Sequence, residues 1–170
     1  MCIEPMQVIL IAAISANGQI AQTPGQSSLD WTSKEDLKFF IEKTKEVGVV
    51  IMGRKTFETI GKPLKGRRLI VLSDVPLEKM EGVEYVNAPI KDVLESLVAQ
   101  GVERVVVGGG ATVYGAFLRE GLVTDVYLTV EPVLFGQGIP LSTGFERIDM
   151  RLVEVTRLGE GSVNLHYEIK

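Results

Sequence analysis

The chain is poor in the residues that supply most nucleophiles and metal ligands. Its 170 residues include one cysteine (Cys2), one histidine (His166) and one tryptophan (Trp31). A structural zinc site takes four nitrogen or sulfur ligands as a rule, which one cysteine and one histidine do not provide. A lone cysteine excludes an intrachain disulfide framework. With no basic, apolar leader at the N-terminus, the expected compartment is a reducing cytoplasm. The apolar run Val8–Ile14 is about a third of the ~20 residues that a membrane span needs, so no membrane partner is expected. Positive charge is in deficit: 18 Lys and Arg against 22 Asp and Glu give −4, which argues against nucleic acid as a partner. What is present suffices for one filled core. Hydrophobic residues make up 45% and charged residues 24%, and the length fits a single domain over 1–170, expected to be a monomer.

Short β-branched runs alternate with helical stretches. Gln7–Ile14 is continuously apolar after its first residue, as a strand covered on both faces is. Ser33-Lys34-Glu35-Asp36 opens a helix, with Thr32 or Ser33 as cap and the acids in the first turn, where the dipole favours them. Gly48 closes that helix before the strand Val49–Met52. Further units follow: a short helix Thr56–Ile60, strands Arg68–Leu72 and Val83–Val86, and an amphipathic helix Ile90–Gln100. Then come strand Arg104–Val107, helix Thr112–Leu118 and strand Thr124–Val130. Arg151–Thr156 and Val163–Ile169 read as an antiparallel hairpin around Gly159-Glu160-Gly161. The class is therefore α/β, with a mostly parallel central sheet, an antiparallel C-terminal edge and helices on both faces.

Four segments have the composition of a binding site. Gly108-Gly109-Gly110 lies between a strand and a helix, where bare backbone can approach a phosphate or simply make a tight turn. It lacks the G-x-G-x-x-G spacing of an ordinary dinucleotide fingerprint. Met52-Gly53-Arg54-Lys55-Thr56 places two cations and a hydroxyl at another strand-to-helix junction, suited to an anion. Gly61–Arg68 is a basic loop in an acidic protein. Asp36 stands early in a helix among Leu37 and Phe40, where partial desolvation raises a carboxyl pKa and suits it to proton handling. Glu35 has the same helical credentials, and Trp31 is equally suited to a core or hinge position.

Taken as an ordered set, these residues resemble dihydrofolate reductase. The resemblance covers Val8 to Val133. It rests on Ile11-Ala12-Ala13, on Trp31 followed by Asp36, Leu37 and Phe40, and on the unbroken run from Met52-Gly53-Arg54-Lys55-Thr56 through Ile60-Gly61 to Pro63-Leu64-Lys65-Gly66-Arg67. Val107–Tyr114 and Tyr127-Leu128-Thr129 complete it.

The resemblance implies a single-domain dihydrofolate-reductase-like fold and the NADPH-dependent reduction of 7,8-dihydrofolate to tetrahydrofolate. It casts Asp36 as the acid that binds the pterin and, with water, supports protonation of N5. Thr129 is linked to Asp36, and Trp31 covers the ring. Ile11, Ala12, Leu37, Phe40, Ile60, Leu64 and Gly108 line the substrate pocket, and Arg67 grips the glutamate tail. The cofactor is assigned to Ala13, Ile20, Gly53, Arg54, Lys55, Thr56, Leu72, Ser73, Gly109, Gly110, Ala111, Thr112, Val113 and Tyr114, with Arg54 and Ser73 at the 2′-phosphate. Ser15–Asp30 is expected to be a mobile loop over the nicotinamide.

Three departures stand out. Asp30 takes the place of the proline usual before the tryptophan, in a longer loop. Gly108 replaces an aliphatic residue, which predicts looser packing. Asp74 follows Ser73, where a neutral or basic residue suits a phosphate better. Phe135-Gly136-Gln137-Gly138-Ile139-Pro140-Leu141 also resembles the reductase domain of riboflavin biosynthesis, which acts on a ribosylaminopyrimidine phosphate with NADPH. A non-catalytic nucleotide-binding protein is the reading from another class.

Overall fold

The apolar N-terminal run becomes the strand around which the rest is built. In the computed structural model, which describes residues 5–170, the chain order begins with β1 (Gln7–Ser15), β2 (Gln19–Ala21), α1 (Lys34–Val47), β3 (Val49–Gly53), α2 (Arg54–Ile60), β4 (Arg68–Leu72) and β5 (Val83–Val86). It continues with α3 (Ile90–Ala99), β6 (Arg104–Val107), α4 (Ala111–Arg119), β7 (Asp125–Glu131), β8 (Ile139–Pro140), β9 (Met150–Leu158) and β10 (Ser162–Ile169). Cys2 lies outside the described residues. Eight strands form one sheet in the order β5-β4-β3-β6-β1-β7-β10-β9. From β5 to β7 every neighbouring pair is parallel. The C-terminal hairpin then adds β10 and the edge strand β9 in antiparallel fashion.

The period-2 alternation of β1 divides the core in two. Val8, Leu10 and Ala12 join a cluster with Val93 and Leu97 of α3 and Phe117 of α4. Ile9 and Ile11 face the opposite way, into a cluster with Phe57 of α2 and, at its margin, Phe39 and Phe40 of α1. Helices α1 and α2 thus cover one face and α3 and α4 the other. The chain leaves β1 and β3 toward the first face and leaves β6, which lies between them, toward the second. Divergent connections of this kind open a crevice at the carboxyl ends of neighbouring strands, the usual ligand position in parallel α/β sheets.

Helix α1 begins as its sequence predicts. Ser33 is the N-cap, its hydroxyl accepts from the Asp36 backbone N–H at 3.1 Å, and Glu35 and Asp36 occupy the first turn. It ends at Gly48, whose φ of 93° is left-handed.

Two features go beyond the expected elements. Helix α2 starts at Arg54, two residues before the expected Thr56, so Arg54 and Lys55 belong to its first turn. Ser15–Asp30, expected as a mobile loop, contains regular elements: β2 pairs with β8, and Ser28–Asp30 forms a 3-10 turn capped by the Ser27 side chain. A three-residue strand whose partner lies more than a hundred residues downstream carries no local periodicity by which to find it. The Gly138 of the Gly-x-Gly-Ile-Pro segment has its reason here, because a Cβ on it would stand 2.4 Å from Gln19 Oε1 and 2.5 Å from the Ala21 carbonyl.

Candidate active site

The crevice gathers residues from both faces. Asp36 projects from the first turn of α1 and is half-buried. Burial pushes its carboxyl above the usual 3.8, the hydrogen bond from Thr129 pulls it back in part, and the negative charge of Glu131 adds to the rise, so the net direction is up. Thr129 is buried in β7, opposite Ala13 of β1 on one side and Asn164 of β10 on the other. The Asn164 side-chain amide donates to the Thr129 hydroxyl oxygen at 3.0 Å. Trp31 stands before α1 with its ring edge-on to Phe135 at 5.0 Å, and its buried indole N–H has no partner among the described residues.

Four residues expected to line the substrate pocket converge on one core cluster. Ile11 belongs to it, and Phe40, Ile60 and Leu64 pack against it with parts of their surfaces accessible. Leu37 is more open, at 38% exposed. Ala12 lies elsewhere: its side chain is packed into the cluster on the other face, as strand alternation requires.

Arg67 is braced by protein but not neutralised by it. Its Nη1 donates to Thr44 Oγ1 at 3.0 Å and its Nε to the Lys65 carbonyl at 3.1 Å, and no carboxylate pairs with it among the described residues. Partial burial lowers its pKa from the ordinary arginine value, yet the guanidinium stays charged. A half-buried, unpaired guanidinium is a receptor for a carboxylate or phosphate. Arg68 does not share this role. Its guanidinium pairs with both carboxylate oxygens of Glu84, at 2.6 and 2.8 Å, so the basic loop ends at Arg67.

The cofactor candidates sit mostly on the opposite face. Ile20, Leu72 and Val113 pack against the α3/α4 cluster. Gly53 donates its N–H to the Gly109 carbonyl at 2.8 Å, which draws the two strand-to-helix junctions together. A Cβ at Gly53 would stand 2.9 Å from Val113 Cγ2, and one at Gly110 would stand 3.0 Å from Thr56 Oγ1. Gly109 has φ +118°, a conformation that side chains rarely adopt. Gly110 caps α4 with no side-chain hydrogen bond, and Ala111 and Thr112 follow in its first turn. Bare backbone at a helix N-terminus, with Thr56 beside it, fits a dinucleotide's phosphates.

Arg54 and the exposed Lys55 are the nearby cations, and Arg54 is held by Glu58 one turn along at 2.8 Å. Ser73 bonds locally with Val75 through its hydroxyl. Tyr114 is buried and donates its hydroxyl to the Ile11 carbonyl at 2.6 Å, bracing the glycine wall from within. Burial first, and the Asp36 charge second, push its phenol upward.

The departures resolve unevenly. At Gly108 an added Cβ would make ordinary contact, 3.4 Å from Val50 Cγ1 and 3.8 Å from Met52 Cε. Asp30 and Asp74 are both exposed. Two residues escaped the reading of the sequence: Asn164, behind Thr129, and Glu131, buried at the end of β7. Their signal was polar residues at every second position, Thr129 and Glu131 in one strand and Ser162 and Asn164 in the next. That pattern places all four on the face that meets α1.

A family model described as dihydrofolate reductase matches residues 7–136. Dihydrofolate reductase type 3 of Salmonella typhimurium is 40% identical over 127 residues, 74% of each chain. The structure of Enterococcus faecalis dihydrofolate reductase complexed with NADP(H) is 26% identical with a TM-score of 0.73, covering 96% of both chains. Acinetobacter baumannii RibD shares the fold at 22% identity with a TM-score of 0.84, covering 98% of this chain and 58% of that one. No helix among the described residues is long and apolar enough to cross a membrane. The crevice, its acid and its glycine wall thus stand in a chain that belongs to the dihydrofolate reductase family of oxidoreductases.

Proposed function

We propose that the protein reduces 7,8-dihydrofolate to tetrahydrofolate at the expense of NADPH. The observation that carries this reading is Asp36, a half-buried carboxyl with raised proton affinity at the crevice, hydrogen-bonded to Thr129 and with an apolar sleeve beside it. Reduction of the pterin C6=N5 bond needs a hydride at carbon and a proton at N5. Bound NADPH supplies the hydride. Asp36 binds the pterin ring and, with water, favours protonation at N5. Thr129 and Asn164 orient the acid. Phe40, Ile60 and Leu64 exclude bulk water from the ring, and Trp31 covers it with a free N–H for an ordered water. Arg67 receives the glutamate carboxylate.

On the cofactor side, the Gly109–Gly110 turn and the start of α4 receive the pyrophosphate, and Arg54 reads the 2′-phosphate. The same residues cast the protein as acting on a small molecule, without a nucleic-acid or membrane partner.

A second reading has one observation in its favour. The Gly-x-Gly-Ile-Pro segment that resembles the riboflavin-biosynthesis reductase is built into the β2–β8 pair, and the fold is also that of RibD. One assay separates the readings: loss of the reduced-nicotinamide absorbance with NADPH plus either dihydrofolate or a ribosylaminopyrimidine phosphate. Turnover with dihydrofolate is expected. Turnover with the aminopyrimidine alone would replace the first reading by the second, and NADPH binding without either turnover would favour a non-catalytic nucleotide binder.

A further inference from the structure

We propose that Glu131 is a positioning residue for Asp36: it holds Ser33, the cap that fixes the Asp36 amide, and sets a second buried carboxylate beside the acid. The proposal rests on the reading of Asp36 as the proton-handling group.

The geometry is a chain of contacts across three elements. Glu131 is 2% exposed. Its Oε1 accepts from the Ser33 backbone N–H at 3.2 Å and from the Ser33 hydroxyl at 2.8 Å, and its Oε2 accepts from the Ser162 hydroxyl at 2.8 Å. All three partners donate. A carboxylate satisfies that set, whereas a carboxylic acid would need an acceptor for its own proton. The Ser33 hydroxyl gives its proton to Glu131 and keeps its lone pairs for the Asp36 N–H. One hydroxyl therefore joins the Glu131 carboxylate to the Asp36 backbone N–H, and the turn of helix that aims Asp36 is pinned to the end of β7. Ser162 extends the link to the start of β10, the strand whose Asn164 orients Thr129.

A buried carboxylate is a costly way to hold a helix cap, since a neutral glutamine presents an oxygen of the same reach. What the charge adds is a field. Facing Asp36 are Glu131 and Thr129 from β7 and Tyr114 from α4, and no cation is among the groups that shift it. Around Glu131 are Ser33, Ser162 and, along the adjoining groove, Arg157 and Glu160 of the C-terminal hairpin. Arg157 is turned toward the carbonyls of Gly159 and Glu160 instead. The nearby charge on Glu131 therefore opposes the charge on Asp36 and keeps a proton there to a higher pH.

The test reads carboxyl carbons by NMR in the whole protein, with Asp36→Asn identifying the Asp36 signal. In the unaltered protein, the Glu131 signal should show an inflection at the Asp36 midpoint, and Asp36→Asn should remove it. In Glu131→Gln the Asp36 midpoint should move to lower pH, and the limb of the pH–rate profile that falls as Asp36 loses its proton should move with it. A Glu131 signal blind to the Asp36 titration, or an unmoved midpoint in Glu131→Gln, would overturn the proposal. The first measurement needs no substitution at Glu131, so a poorly folding variant does not spare the idea. Because the titration is read on carbon rather than on turnover, it stands apart from whether dihydrofolate is the substrate.

Discussion

The Asn164 amide and the Thr129 hydroxyl meet at 3.0 Å across the β7–β10 pair, with Asn164 donating. An oxygen that accepts from one side turns its own proton to the other, and on that side lies Asp36. Thr129 is therefore fixed as a donor to the acid rather than a rotor free to choose.

Thr129→Val removes that donor while keeping the shape. Hydrogen bonds to charged groups are worth ~1.5–3 kcal/mol, so kcat/KM for dihydrofolate should fall by about 10- to 100-fold. The direction of the pH effect is opposite to that of Glu131→Gln. Thr129 lowers the Asp36 pKa, so its loss should move the midpoint of the pH–rate profile upward. Paired profiles of the two variants check both signs.

Asp36→Asn should separate activity from stability. Loss of the proton-handling group should cost about 10²- to 10⁴-fold in the hydride-transfer rate at neutral pH, measured in single turnover, with NADPH affinity preserved. Stability should move the other way. The folded-state pKa of Asp36 lies above its unfolded value, so its ionisation disfavours the fold once the pH has risen through the folded pKa. The variant should melt higher than the parent at neutral pH. That advantage should shrink as the pH falls and the parent's Asp36 takes up its proton. Equal melting temperatures at every pH would contradict the burial-driven shift.

Arg67→Leu tests the tail site. Losing one partner of a buried or half-buried charge pair costs ~2–5 kcal/mol, and dihydrofolate affinity should weaken on that scale. A pterin without the glutamate tail should bind both proteins alike. If the tail-less compound weakens equally, Arg67 acts by holding Thr44 and the end of α1 rather than by gripping a carboxylate.

Arg54→Ala tests cofactor choice. Arg54 shares its charge with Glu58, and a phosphate must compete with that carboxylate. NADPH affinity should fall by about 10- to 100-fold, the scale of one charge-assisted contact, while NADH affinity stays level. Titration of both dinucleotides, followed by tryptophan fluorescence of Trp31, gives the ratio directly.

Much of this site was legible because its chemistry follows local rules. The apolar run before Ser15 marked a central strand, Ser33 and the two acids after it marked a helix start, and the glycines around residue 109 marked a close approach of backbone. What stayed hidden depends on partners far along the chain. Asn164 gains its meaning from a strand 35 residues earlier, and Glu131 from a helix cap 98 residues before it. The Arg68–Glu84 pair likewise could not be seen in a loop read by itself, and so the basic segment looked longer than it is.

Asp125, at the far end of β7, is a paired acid like Glu84 and should contribute to acid sensitivity. Burial alone would raise the Asp125 pKa, but hydrogen bonds from His166, Gln7 and Thr124 together outweigh it and hold the carboxyl below its usual 3.8. His166 meets Asp125 at 2.9 Å and stacks on the Tyr127 ring at 4.0 Å, so the pair ties β10 to β7. A depressed folded-state pKa means stability that is fully present above the unfolded value and lost as the pH falls through the folded one. The parent should therefore keep this contribution from neutral pH down to about 3.8 and lose it below. Asp125→Asn should melt lower than the parent at neutral pH, with the gap closing below that point. Thermal melts of both proteins across the acid range check this, and a gap that stays open below that point would contradict the depressed carboxyl.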